Sequence, residues 1–150
     1  MTDRELMQAA IALAREAAAD GEVPVGAVVA KDGEIVSVGR NRREKDKNAL
    51  AHAEIEAIGK ACRALGGWRL WQCELFVTLE PCPMCAGAII NSRIKRVVFG
   101  AYDPKAGSCG SINNLFDFPY NHSPEIEGGF MQVECALLLK RFFSDLRKTK

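Results

Sequence analysis

Glu74-Leu75-Phe76-Val77-Thr78-Leu79-Glu80-Pro81-Cys82-Pro83-Met84-Cys85-Ala86-Gly87-Ala88 reads as a strand that runs straight into a helix. Residues 74–79 are a strand-like apolar run. Pro83 cannot donate a backbone N–H and fits the first helical position, so a helix is expected over 83–92. Cys82 and Cys85 are three apart and share one helix face. Unpaired N–H groups and the helix dipole at that end favour thiolate, the form that binds metal.

A second short piece, His52-Ala53-Glu54, opens the helical pattern expected over 52–65, which Gly66-Gly67 closes. His52, Cys82 and Cys85 together supply one imidazole and two thiols, a set of three zinc ligands. Three protein ligands leave a fourth position for water, the mark of a catalytic zinc site. Two thiolates and a neutral imidazole cancel the charge of Zn²⁺ and soften it as a Lewis acid, so a nearby base helps. Glu54 suits that proton-carrying role. Inside a helix it would point away from His52, so the two share a site only in the first turn. A lone Cys-x-x-Cys is more often redox-active or structural, and a lone His-x-Glu carries nothing. Their joint occurrence about thirty residues apart, with Pro81 ahead of Cys82, is similar to the zinc deaminase signature.

At 150 residues the chain has room for one domain with a single core, expected to span 1–150. Its 48% apolar content excludes a disordered chain. No apolar run is long enough to cross a bilayer, and the first residues lack a signal-peptide layout, so a cytoplasmic location is expected. Without a secretion signal, the six cysteines do not read as a disulfide framework. Cys62, Cys73 and Cys135 sit in apolar patterns and are expected buried; Cys109, between Ser108 and Gly110, is expected nearer the surface.

Net charge is only +1, but residues 40–47 carry +3 and residues 140–150 carry +4, leaving about −6 elsewhere. Two basic stretches on an acidic body suit an anionic partner such as nucleic acid, or are two solvated surface stretches. Residues 3–19 have helical apolar spacing. Val23 to Ala30 and Ile35 to Val38, joined by Lys31-Asp32-Gly33, read as a β-hairpin. Pro24 and Gly26 are odd in a central strand and suggest a backbone close to a ligand. Residues 95–100 read as a strand and 101–128, rich in Gly, Asn, Pro and Asp, as a long loop of a kind that is functional or disordered. A last helix, about 131–147, carries Cys135, Leu138, Leu139, Phe142, Phe143 and Leu146 on its apolar side. This order suggests one mixed sheet between helical layers, with ligands bound at helix N-termini near strand ends.

Beyond the two metal pieces, residues 22–28, Gly39-Arg40-Asn41, residues 77–88, residues 96–101 and Asn121-His122 are similar, in the same order, to the bacterial tRNA-specific adenosine deaminases. The resemblance covers nearly the whole chain. It implies a cytidine deaminase-like fold, α/β and three-layered (α/β/α), around a central mixed five-stranded sheet. It implies hydrolysis of the wobble adenosine of a tRNA anticodon to inosine, one Zn²⁺ per subunit, and a homodimer gripping the anticodon stem-loop. On it, His52, Cys82 and Cys85 would hold zinc and Glu54 would move protons. Asn41 would bond the flipped base, Asp103 would sit near the ribose, and Val25, Leu79 and Pro81 would line the wall. The family often has Arg where Ser123 stands, which implies that one phosphate-binding cation is missing here or supplied elsewhere. The metal motif does not tell adenine from cytosine. A deaminase of free bases or nucleosides and a zinc-stabilised RNA-binding subunit without chemistry are the alternative readings.

Overall fold

In a computed structural model, which describes residues 1–148, the elements follow the order helix, hairpin, helix, strand, helix, two strands, helix. Helix α1 (Asp3–Ala19) starts at a capping box, with Thr2 and Glu5 satisfying each other's orphan N–H groups. Strands β1 (Gly26–Lys31) and β2 (Glu34–Arg40) form the expected hairpin. Helix α2 (Ala53–Leu65) ends at Gly66, whose φ of 73° is open to glycine at little cost. Strand β3 (Cys73–Leu79), helix α3 (Pro83–Ser92) and strand β4 (Arg96–Ala101) follow. A short strand β5 (Glu125–Glu127) and helix α4 (Gln132–Lys148) complete the described chain.

The five strands form one mixed sheet in the order β2-β1-β3-β4-β5. β1 runs antiparallel to β2 and β3, whereas β3, β4 and β5 are parallel. Alternation along the strands divides the core in two. Val29, Leu75, Val77, Val97 and Phe99 face α2 and α3, while Val28, Ala30, Phe76 and Val98 face α1 and α4. Covered on both faces, the inner strands must be apolar throughout, which is why they read as unbroken hydrophobic runs.

Four expectations change. The 101–128 stretch is not a bare loop, because residues 125–127 pair with β4; three residues with one half-buried side chain leave too short a pattern to read. Gly26 lies against α1, not a ligand: a Cβ there would stand 2.7 Å from the Ala14 amide nitrogen. Pro24 precedes β1 altogether. Cys109 is buried, whereas Cys62 is only half-buried. On α4 only Cys135 is buried, and Phe143 and Leu146 are more than 40% exposed. Of the basic stretch at 140–150, Lys150 lies outside the described residues.

Candidate active site

His52 and Cys82 occupy the same local position, the residue just before a helix. Each has extended backbone (φ −87°, ψ 152° and φ −76°, ψ 174°) and neither side chain caps its own helix, so both are free for a ligand. This removes the difficulty of His52 and Glu54 in one site. His52 stands outside the helix, so helical spacing does not separate it from Glu54 in the first turn of α2. Cys85, one turn into α3, shares a face with Cys82.

The two helix starts converge across the β3 end of the sheet. His52 Nδ1 lies 3.6 Å from Cys82 Sγ and 3.6 Å from Cys85 Sγ. All three ligand atoms fall within 4.8 Å of one another, a group able to hold a metal ion. In the metal-free protein the Cys85 thiol donates to Cys82 and, with His52, holds Cys82 down to about 4 as a thiolate. The same contact pushes Cys85 far up, and Cys82 raises His52. Glu54 is buried, 4% exposed. Burial pushes its carboxyl up to about 7, against the pull of its own amide, and the Cys82 charge adds to the rise. A carboxyl balanced near neutrality can both take and give a proton.

Val25, Asn41, His52, Glu54, Leu79, Cys82 and Asp103 line one cavity of about 190 Å³. Its size is small beside sites for drug-sized ligands, ~300–1,000 Å³. Val23, Arg43, Ala53, Glu80 and Ala106 complete the lining. Pro81 is not part of it. Pro81 is buried outside the lining, and its carbonyl accepts from the Ser108 amide at 2.9 Å. Asn41 donates to the Val23 carbonyl at 3.1 Å and accepts from the Arg43 amide at 3.2 Å, so it holds the chain turn as well as facing the cavity. Asp103 caps its own loop, one oxygen accepting from the amides of Lys105 (3.0 Å) and Ala106 (3.2 Å). Ser123 is exposed and donates to the Phe116 carbonyl at 3.1 Å.

Two buried carboxylates, Glu22 and Glu80, carry loops near the site that the sequence pattern did not point to, and Glu80 also lines the cavity. Glu22 accepts from the amides of Glu44 (2.9 Å) and Lys45 (2.7 Å), and so ties down the basic loop after Asn41. Glu80 does the same for the loop after Asp103. For Glu80 the sequence signal was an acidic residue at the end of an apolar run; Glu22, which follows Asp20-Gly21, gave none. The basic stretch is also less basic than it reads, because Arg40 pairs with Asp20 at 3.1 Å and Arg42 with Glu56 at 2.7 Å.

Residues 1–147 match the model of the MafB19-like deaminase family. The chain is 49% identical to the tRNA-specific adenosine deaminase of Bacillus subtilis, covering 100% of this chain and 94% of that one. A solved structure described under A-to-I editing by tRNA:A34 deaminases at the wobble position superposes with a TM-score of 0.88 at 42% identity, covering 91% of this chain and 99% of that one. A guanine deaminase structure from Bacillus subtilis is less similar, with a TM-score of 0.67 at 34% identity over 94% of each chain.

Proposed function

Because this chain belongs to the MafB19-like deaminases and to the tRNA-specific adenosine deaminases, we propose that it converts the wobble adenosine of a tRNA anticodon to inosine by hydrolysis. One observation carries the hydrolytic chemistry: an imidazole 3.6 Å from each of two sulfurs, beside a buried carboxyl; the likeness to tRNA-specific adenosine deaminases over the full chain supports adenosine in tRNA as the substrate. The donors suit zinc in type and spacing. Imidazole and thiolate are its usual ligands, and Zn–S of ~2.3 Å with Zn–N of ~2.0–2.1 Å at tetrahedral angles requires N···S edges of roughly 3.6 Å. Both observed edges are 3.6 Å.

Zinc held by His52, Cys82 and Cys85 would supply a Lewis acid that activates a water. Glu54 handles the protons. Its carboxylate takes one from the attacking water and delivers it to adenine N1 as oxygen adds at C6. It then carries a proton to the departing amine, so ammonia leaves and the ring keeps the oxygen. Val25 and Leu79, which line the cavity, would wall the base. Asn41 has a second N–H to offer the base beyond the one given to Val23. Asp103 stands at the mouth, where a ribose would pass.

The base must first unstack, which costs a few kcal/mol and is easiest in a loop. Arg43, Lys45 and Lys47, exposed in the loop after Asn41, would meet phosphates. We infer one deaminase domain over the chain and a cytoplasmic homodimer. Among the described residues no helix is long and apolar enough to cross a membrane. The test is incubation with an anticodon stem-loop carrying adenosine at the wobble position and, separately, with free nucleosides and bases. Inosine is expected in the stem-loop alone; turnover of free nucleosides or bases alone rejects the RNA reading.

A further inference from the structure

Glu80 stands immediately before Pro81-Cys82, is only 2% exposed, and carries a carboxylate no step of the reaction uses. Each of its oxygens is fully engaged. Oε1 accepts from the Asp103 amide at 3.0 Å and from the Ser111 hydroxyl. Oε2 accepts from the amides of Cys109 and Ser111, both at 3.0 Å. The loop's path depends on this anchor. Gly107 passes so close over the carboxylate that any Cβ would collide with Glu80 Cδ and both oxygens. Ser108 returns to the Pro81 carbonyl at 2.9 Å, and the Glu80 amide donates to Ala101 at 2.8 Å. Residues 103–111 are thus wrapped around one side chain of the segment that enters α3. Four donors directed at one buried charge make bonds stronger than neutral pairs.

We propose that Glu80 is a positioning residue for the reaction. It holds Asp103 and Ala106 at the cavity mouth in fixed register with the segment carrying Cys82 and Cys85. A substrate docking against that mouth meets a loop already ordered, so binding does not pay to order it. Glu80 acts through the loop and does not touch the reacting atoms. The loop is tied to β4 and to the turn before α3, not to His52 or Glu54, so its loosening should weaken substrate capture and leave the proton-handling groups in place.

The inference rests on the RNA-editing reading above, and the unaltered chain is the control that separates them: if it fails on the stem-loop, that reading has failed and not this one. E80Q replaces one acceptor by an NH₂ group facing N–H or O–H donors. S111A removes only the hydroxyl bond at an exposed position and leaves folding unburdened. Each variant is assayed on the wobble-adenosine stem-loop for kcat and KM, with bound zinc measured by atomic absorption. Expected are a KM raised about tenfold or more in E80Q and about two- to fivefold in S111A, with kcat within about threefold and zinc per chain unchanged. E80D, which keeps the charge one methylene short, should fall between wild type and E80Q. A kcat loss at unchanged KM overturns the proposal, as does zinc falling in step with activity. If E80Q does not fold, S111A decides, and an unchanged KM there refutes the positioning role.

Discussion

Replacing Glu54 by Gln should cost activity and raise stability in the same molecule. Gln keeps the shape of the side chain and removes its ability to carry a proton. General acid–base groups contribute ~10²–10⁴-fold, so kcat should fall by that range, or ~3–5 kcal/mol of barrier. The stability side follows from burial. The Glu54 carboxyl rises from 4.5 to about 7 in the metal-free protein because burial penalises its charged form. An acid raised on folding binds its proton more tightly in the native state than in the unfolded chain. Stability therefore falls as pH climbs between those two values, is flat above the upper one, and shows no loss below the lower one. At ~1.4 kcal/mol per pH unit, the full loss is about 3 kcal/mol. E54Q escapes it. For a chain of this size ~2–4 °C accompany each kcal/mol, so metal-free E54Q should melt roughly 6–12 °C above metal-free wild type at mildly alkaline pH. The gap should close as pH drops toward 4.5, the ordinary glutamate value. Calorimetry of chelator-treated protein across pH reads it, with zinc content and kcat measured on the loaded enzyme. A gap that is absent, or equally large at every pH, would refute the account of Glu54 as a carboxyl strained by its site. Retained activity would refute its role as proton carrier.

The metal-free protein should also show two unequal thiols. Cys82, a thiolate down to about pH 4, should alkylate first at mildly acidic pH, and Cys85, pushed far up and buried, last; peptide mass spectrometry settles the order, and equal rates would contradict the hydrogen bond between them. RNA affinity should fall steeply with salt, and K45A/K47A should flatten the log–log slope by ~0.7–0.9 for each phosphate no longer neutralised, read by filter binding at several salt concentrations. Gly26→Ala forces α1 away from β1 at Ala10 and Ala14, so denaturation should show a destabilisation of ~1–3 kcal/mol, and an unchanged midpoint would mean the helix yields freely.

The amino-acid order by itself determined the metal-binding set and most elements of the fold. Pro at a first helical position and a His or Cys just ahead of a helix are signals that act over a few residues, so the chemistry of 52–54 and 81–85 is legible locally. The buried strands announce themselves as apolar runs for a similar reason, since each face of the sheet is covered within reach of its own residues. Only the tertiary structure decided what those pieces do together. It set His52 3.6 Å from both sulfurs across a gap of thirty and thirty-three residues. It buried Glu54, turned Gly26 toward α1, hid Cys109 and neutralised Arg40 and Arg42. It also made Glu22 and Glu80 into anchors through the backbone amides of distant loops. Every residue but proline carries the same amide, so a side chain that recruits amides from twenty or thirty positions away leaves no periodic or compositional mark on the chain.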